Sequence, residues 1–371
     1  LVRELRKHQP DLRVFLTVGT PTGRRVAEPL LDEKTCLVYV PTDFYYSMMR
    51  AFRRVNPRAL ILVENEIWPN MLWRAKKMGI PVCLVNSRLS RRNRRLFRAA
   101  RTFVRPVLQA FDWIGVQSEE DLGRFAIAGF PENRLHLMGS MKYDVADLAS
   151  DNPGKGREIR RLAGWDQGQV VLLGGSTHPG EEKILAELVR ELKPKHPKLR
   201  LMLVPRHVER KDEILQQLSG VGLKVGLRSQ LEQNPGMDPE ILLVDSTGEL
   251  RDLYPACELV FIGKTLTGKG GQNFLEPARY GRAIVAGPHM DNFQSLRREF
   301  LQDQAIVVSR DAASLREDVD RLLSSDQARQ RLGASAENCF RQHLGAGARY
   351  AEVLLRLMAG SRPARSRYHS P

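Results

Sequence analysis

Short, unbroken runs of Val, Ile and Leu recur along the whole chain, separated by segments with helical periodicity. This alternation limits the fold more than any other feature of the sequence. A first set reads LRVFLTVG, TCLVYVP, ALILVE, PVCLVN, WIGVQS and RLHLMG, ending at Gly139. A second reads VVLLGGS, LRLMLVP, EILLVDS, LVFIG, AIVAG and AIVVS, ending at Ser309. An alternating strand keeps one face wet, whereas a continuous apolar run implies burial on both faces, as in a parallel sheet. Segments such as EEKILAELVRELK supply the crossover helices that parallel strands need. Between the sets, KYDVADLASDNPGKGREIRR breaks the pattern with turn formers, charge and Pro153-Gly154, which marks a domain boundary near residue 144. The expected architecture is α/β: two Rossmann-like domains, residues 1–143 and 144–360, with a cleft between them and a disordered tail over 361–371.

Composition narrows the class of function. A chain of 371 residues can bury two cores, and 42% hydrophobic with 27% charged residues is a globular balance. No apolar run reaches the length of a membrane span, and no signal-peptide pattern is present. The scattered Cys36, Cys83, Cys257 and Cys339 read as buried thiols in a reducing compartment, and the histidines lack metal-ligand spacing. A net charge of +15 points to nucleic acid, an anionic membrane surface or small acidic substrates without choosing among them. The opening LVRELRKHQP reads as the middle of an amphipathic helix, which places the natural N-terminus upstream of Leu1.

Open α/β sheets bind ligands beyond the carboxyl ends of their strands. Those ends carry Glu64 after ALILV, Asn86 after PVCLV, and Gly139-Ser140 with Lys142 after RLHLM. In the second set they carry Gly174 to His178, Pro205-Arg206-His207, Gly248-Glu249-Leu250 and the segment GGQNFLEP. The GGSTHPGEE junction either offers backbone N–H groups and a helix dipole to an anion or caps its own helix through Ser176 or Thr177. Arg206 suits a bidentate phosphate contact, or an ion pair with Glu209. Pro277 fits the first position of a helix, which holds Glu276 where it can accept from a ribose diol and leaves Asn273 to phosphate or sugar hydroxyls. The competing reading is that Asn273 and Glu276 only cap that helix. Glu64 and Lys142 form either a pair that positions a proton and neutralises negative charge or a structural salt bridge. Glu66 reads as a solvated loop acid.

The segment RLSRRNRRLFRAARTFVRPVL holds eight arginines and no acid. Arg91, Arg94, Arg98, Arg101 and Arg105 step by three and four into one helical stripe beside an apolar face. A basic amphipathic helix over Arg88–Arg105 reads as a surface for an anionic membrane. No aromatic stacking platform or nucleic-acid motif accompanies it.

Taken together, ENEIWPN, NSRLS, GSMKYD, GGSTHPGEE, LVPRH, GELRDLY, GGQNFLEPARYG and GPHMDNF resemble, in order, the motifs of the 3-deoxy-D-manno-octulosonic acid (Kdo) transferases of lipopolysaccharide synthesis. The resemblance runs from residue 1 to about residue 355. It implies a GT-B glycosyltransferase that moves Kdo from CMP-Kdo to a lipid A precursor, inverting and metal-independent, with no cofactor, at the cytoplasmic face of the bacterial inner membrane. By motif match it implies CMP binding by Pro205, Arg206, Gly248, Glu249, Leu250, Asn273, Phe274, Leu275 and Glu276. Glu64 and Lys142 match the positions assigned to stabilising the transition state. The family's general-base glutamate sits on a glycine-rich loop that this reading places upstream of residue 1, so activity of the chain as written is an open expectation. The alternatives are a GT-B enzyme using a UDP-sugar and a non-catalytic protein that binds anionic lipid or nucleic acid through its arginines.

Overall fold

The computed structural model describes residues 1–64, 66–89, 101–148, 152–165 and 168–360. The chain divides into two compact units. One comprises Leu1–Asp144 with the segment from Gly345, the other Val145–Leu344. The helix Ala346–Gly360 therefore belongs to the first unit, where a division into consecutive segments places it in the second. Its buried face explains the assignment: Ala346, Tyr350, Ala351, Leu354 and Met358 pack with Leu5, Cys83, Val85 and Trp113 of the first unit.

The first unit holds β1 (Val14–Val18), β2 (Thr35–Tyr39), β3 (Leu60–Val63), β4 (Val82–Ser87), β5 (Trp113–Val116) and β6 (Leu135–Leu137). All six are parallel, but they form a two-stranded sheet β1-β2 and a four-stranded sheet β3-β4-β5-β6. The split follows burial. On β4, Val82 and Leu84 face one apolar cluster while Cys83 and Val85 face another, so both faces are covered. On β1 and β2, by contrast, Phe15, Cys36 and Tyr39 are exposed, so Cys36 is not the buried thiol that its apolar run implies.

The second unit holds β7 (Val170–Thr177), β8 (Leu199–Pro205), β9 (Val225–Leu227), β10 (Ile241–Leu243), β11 (Leu259–Ile262), β12 (Ala283–Ala286) and β13 (Val307–Val308). They make one parallel sheet in the order β13-β12-β11-β7-β8-β10-β9. The short edge strand β9 has no counterpart in the apolar runs. Crossover helices bury one stripe each; in Glu181–Leu192 it is Leu185, Ala186, Leu188, Val189 and Leu192. From β7 the chain fills one side of the sheet through β8, then returns to the other side at β11. The β7–β11 boundary is thus a topological switch point, the place where such sheets bind ligands.

The segment that breaks the apolar pattern is itself helical, over Lys142–Leu148 and Pro153–Ala163. Pro153 opens the second of these helices, where its missing N–H costs nothing, and Gly164 closes it in the left-handed conformation. The 361–371 tail lies outside the described residues.

Candidate active site

In the first unit the candidate residues gather at the carboxyl ends of β3 and β4. Both ends are strained: Glu64 has φ 62 and Asn86 φ 52, conformations that side-chain-bearing residues seldom adopt. The Glu64 N–H extends the ladder by donating to the Val85 carbonyl at 2.9 Å. Lys142 is half-buried at the start of the helix Lys142–Leu148. Burial first, and Arg88 next, hold its ammonium below the usual lysine range, while Glu64 opposes them. Glu64 and Arg88 thus both lie within electrostatic reach of Lys142. Glu66 is exposed and receives the Trp68 indole N–H at 2.8 Å, in keeping with a solvated loop acid.

In the second unit the GGSTHPGEE junction departs from both expectations. Neither Ser176 nor Thr177 caps the helix, which begins after Gly180 in the left-handed conformation with no side-chain cap. The anion at this junction is the protein's own. Fully buried Glu181 accepts the N–H groups of His178 and Lys264 at 2.9 and 2.8 Å through Oε2. Its Oε1 accepts those of Thr265 and Leu266, each at 3.0 Å. A buried carboxylate and a bound anion make the same demand on backbone donors, so the residue types at this junction do not tell the two apart. The result is a loop after β11 tied to the end of β7 across the switch point.

Arg206 follows β8 directly, its N–H donating to the Thr177 carbonyl at 3.0 Å. Its side chain is exposed and, among the described residues, makes no ion pair; Glu209 is approached instead by His207 at 4.0 Å. Glu249 is buried against Lys155 at 2.8 Å, Arg228 at 3.5 Å and the Ser246 hydroxyl. Burial pushes its carboxyl up, but these partners outweigh that and hold it below the usual range. Gly248 beside it is exposed, with φ 84.

The helix after GGQN runs Leu275–Arg279, so Pro277 is its third residue rather than its first. Proline is still tolerated there, because first-turn N–H groups have no helical acceptor. The Asn273 Oδ1 accepts the Leu275 N–H at 3.1 Å from one residue ahead of Phe274, which is the N-cap and itself gives no side-chain cap. The Glu276 Oε1 receives Arg251 at 3.0 Å and Asn273 Nδ2 at 3.3 Å. Among the described residues its Oε2 receives nothing, which leaves that oxygen for a ligand. Phe274 and Leu275 are buried, so only their backbone groups can face one.

Two features went unread in the sequence. Phe44, Tyr45 and Tyr46 stand exposed at the start of the helix Tyr45–Val55, whose Arg50, Arg53 and Arg54 are also exposed. Asp43 anchors this segment by accepting the N–H groups of Asn70 and Met71 at 3.1 and 2.9 Å, beside a helix carrying exposed Trp73. These rings lie off the apolar stripe of Met48 and Phe52 that buries the helix, so the helical pattern does not single them out. Of the arginine stripe, Arg91, Arg94 and Arg98 lie outside the described residues; Arg101 and Arg105 lie on the helix Arg101–Leu108, with Arg105 exposed. Among the described residues no helix is long and apolar enough to cross a membrane.

Residues 1–145 match the family model described as 3-deoxy-D-manno-octulosonic-acid transferase (kdotransferase). The chain is 30% identical over 355 residues to a 3-deoxy-D-manno-octulosonic acid transferase of Haemophilus influenzae, covering 95% of this chain and 82% of that protein. A Bordetella pertussis protein of the same description is 30% identical over 351 residues, covering 92% and 80%. Among solved structures, UDP-GlcNAc 2-epimerase from Neisseria meningitidis bound to UDP-GlcNAc superposes with TM-score 0.62 at 12% identity, over 96% of this chain and 94% of that one. That likeness concerns the fold alone, and with the two parallel α/β units it identifies the GT-B architecture. The extent and identity of the match to its relatives place the chain in the 3-deoxy-D-manno-octulosonic acid transferase family of glycosyltransferases.

Proposed function

We propose that the protein transfers Kdo from CMP-Kdo to a hydroxyl of a lipid A precursor in lipopolysaccharide synthesis, with inversion and without a metal ion. The observation that carries the donor half is Arg206: an exposed guanidinium with no ion pair, at the carboxyl end of β8 and bonded through its backbone to the tail of β7. A cation unpaired among the described residues at the carboxyl end of β8, beside the end of β7, suits an anionic ligand, and a guanidinium binds phosphate through two parallel N–H donors. In this reading Arg206 and Pro205 take the CMP phosphate side, and Glu276 Oε2 accepts from the ribose diol. Asn273 orients Glu276 and holds the Leu275 N–H at the start of its helix. Exposed Gly248 leaves room for the nucleotide, while Glu249, neutralised by Lys155 and Arg228, shapes the wall next to Leu250. Phe274 and Leu275 contribute main-chain groups.

In the transfer itself, the acceptor oxygen bonds to the anomeric carbon as the bond from that carbon to the CMP phosphate oxygen breaks. The acceptor proton passes to a general base, and CMP leaves with the electron pair. Glu64 and Lys142 stabilise the charge that shifts during this exchange. The acceptor and the anionic inner-membrane surface meet the first unit through the Arg88–Arg105 stripe and the exposed aromatic and basic residues at Phe44–Arg54, which combine apolar rings with cations as interfacial surfaces do. In this reading the protein works at the cytoplasmic face of that membrane.

The test is a transfer assay on the full-length protein with CMP-Kdo and a lipid A precursor, with and without a chelator. The reading expects Kdo on the acceptor in inverted configuration, chelator-insensitive, and lost in Glu64→Gln. Turnover of a UDP-sugar in place of CMP-Kdo would overturn it.

A further inference from the structure

The turn that delivers Lys142 is held by elements distant in sequence. Asn86 is 6% exposed, and its Oδ1 accepts the Met141 N–H at 3.0 Å, one residue ahead of Lys142. Tyr350, on the helix Ala346–Gly360, donates its hydroxyl to the Gly139 carbonyl at 3.3 Å. Arg349 sends Nε and Nη2 to the Met138 carbonyl at 3.2 and 3.1 Å. On the far side of Lys142, Asp144 accepts the N–H groups of Gly345 and Gly347, both at 2.6 Å. Residues 138–144 are therefore tied on both sides of Lys142 to the end of the chain.

The chemistry of Tyr350 is more than packing needs. Its ring is fully buried edge-on to Trp113 at 5.8 Å and against Gly115, where a Cβ would have no room. A phenylalanine fills that space equally well. The hydroxyl is explained by the group it holds, the Gly139 carbonyl at the head of the Lys142 turn. Asn86 likewise accepts an unfavourable backbone conformation at the one place where its side chain reaches Met141. A lysine ammonium rides on a flexible four-carbon stem, so its placement depends on how firmly its backbone is held.

We propose that Asn86, Arg349 and Tyr350 are positioning residues for the transfer reaction: they lock the 138–144 turn that carries Lys142. The helix Ala346–Gly360 is then a working part of the first unit's site. The inference rests on the reading of Lys142 as a transition-state-stabilising group.

The experiment compares wild type, Tyr350→Phe and Arg349→Gln in the full-length protein, Arg349 being exposed and Phe preserving the ring. The Lys142 titration midpoint is followed by carbon NMR of reductively methylated lysines, with Lys142→Arg assigning the resonance. Burial and Arg88 lower that midpoint in the wild type, and Glu64 is the charged group opposing them. Loosening the turn should move it up toward the ordinary lysine value. The kcat should fall on the order of tenfold with the KM for CMP-Kdo unchanged, since sub-ångström to 1 Å misplacement of a reacting group costs rate rather than donor binding. A loss of stability alone moves neither the midpoint of the folded protein nor kcat against KM. Folded variants with the wild-type midpoint and kcat would overturn the inference. If Tyr350→Phe does not fold, Arg349→Gln carries the test. If the wild type transfers no Kdo, the functional reading fails, and the midpoint still decides whether the brace exists.

Discussion

At the scale of single residues, Glu181 is the side chain on which the second unit's loop geometry turns. Four backbone N–H groups converge on its buried carboxylate, and nothing else among the described residues is placed to receive them. Each buried donor left unpaired costs about 1–3 kcal/mol. Glu181→Ala should therefore lower the unfolding free energy by about 3 kcal/mol or more, read from urea denaturation; a change near zero would contradict the geometry. The thiols give a second residue-level check. Burial pushes Cys83 and Cys257 up to about 12, and Cys339 is raised as well, whereas Cys36 is exposed. Since the thiolate is the reactive form, a disulfide reagent should titrate one thiol in the native protein and four after unfolding. Rapid reaction of more than one native thiol would contradict the burial.

Elements show what the sequence discloses and what it conceals. The runs PVCLVN and LRLMLVP are legible as strands because they are short, nearly continuous apolar runs, as strands buried on both faces of a parallel sheet are, and Val82–Ser87 and Leu199–Pro205 are buried throughout. The two-stranded split of β1 and β2 is not legible, because pairing partners are chosen by contacts distant in sequence. The same holds for the closing helix, whose amphipathic stripe says that it packs but not on which unit. At the candidate site, residue types at strand ends were readable; their partners were not. Glu249 is the instance: it reads as a ligand-facing acid, yet Lys155 and Arg228 already neutralise it. Its folded pKa is depressed below the ordinary 4.5, so its stabilising contribution is full above that value and is lost as pH falls through the depressed one. Acid denaturation of Glu249→Gln should accordingly show a shallower loss of stability through the carboxylate range than wild type. Parallel curves would show that the ion pairs at the start of Leu250–Leu253 contribute nothing.

For the whole molecule, charge and donor chemistry are the properties to test. A net charge of +15, with exposed Arg50, Arg53, Arg54 and Arg105 on the first unit, predicts salt-sensitive docking. The Debye length falls from about 10 Å at 0.1 M salt to about 3 Å at 1 M. Cosedimentation with phosphatidylglycerol vesicles should be strong at low salt and lost at high salt, while binding that ignores salt would remove the electrostatic part of the membrane reading. The central claim, a CMP-linked donor held by the second unit, is tested most directly by calorimetric titration with CMP, UMP and ADP. The account predicts selective CMP binding that Arg206→Ala weakens at least about tenfold, the worth of a charge-assisted hydrogen bond, and that Glu276→Ala also weakens. A preference for UMP, or CMP binding indifferent to both substitutions, would contradict it.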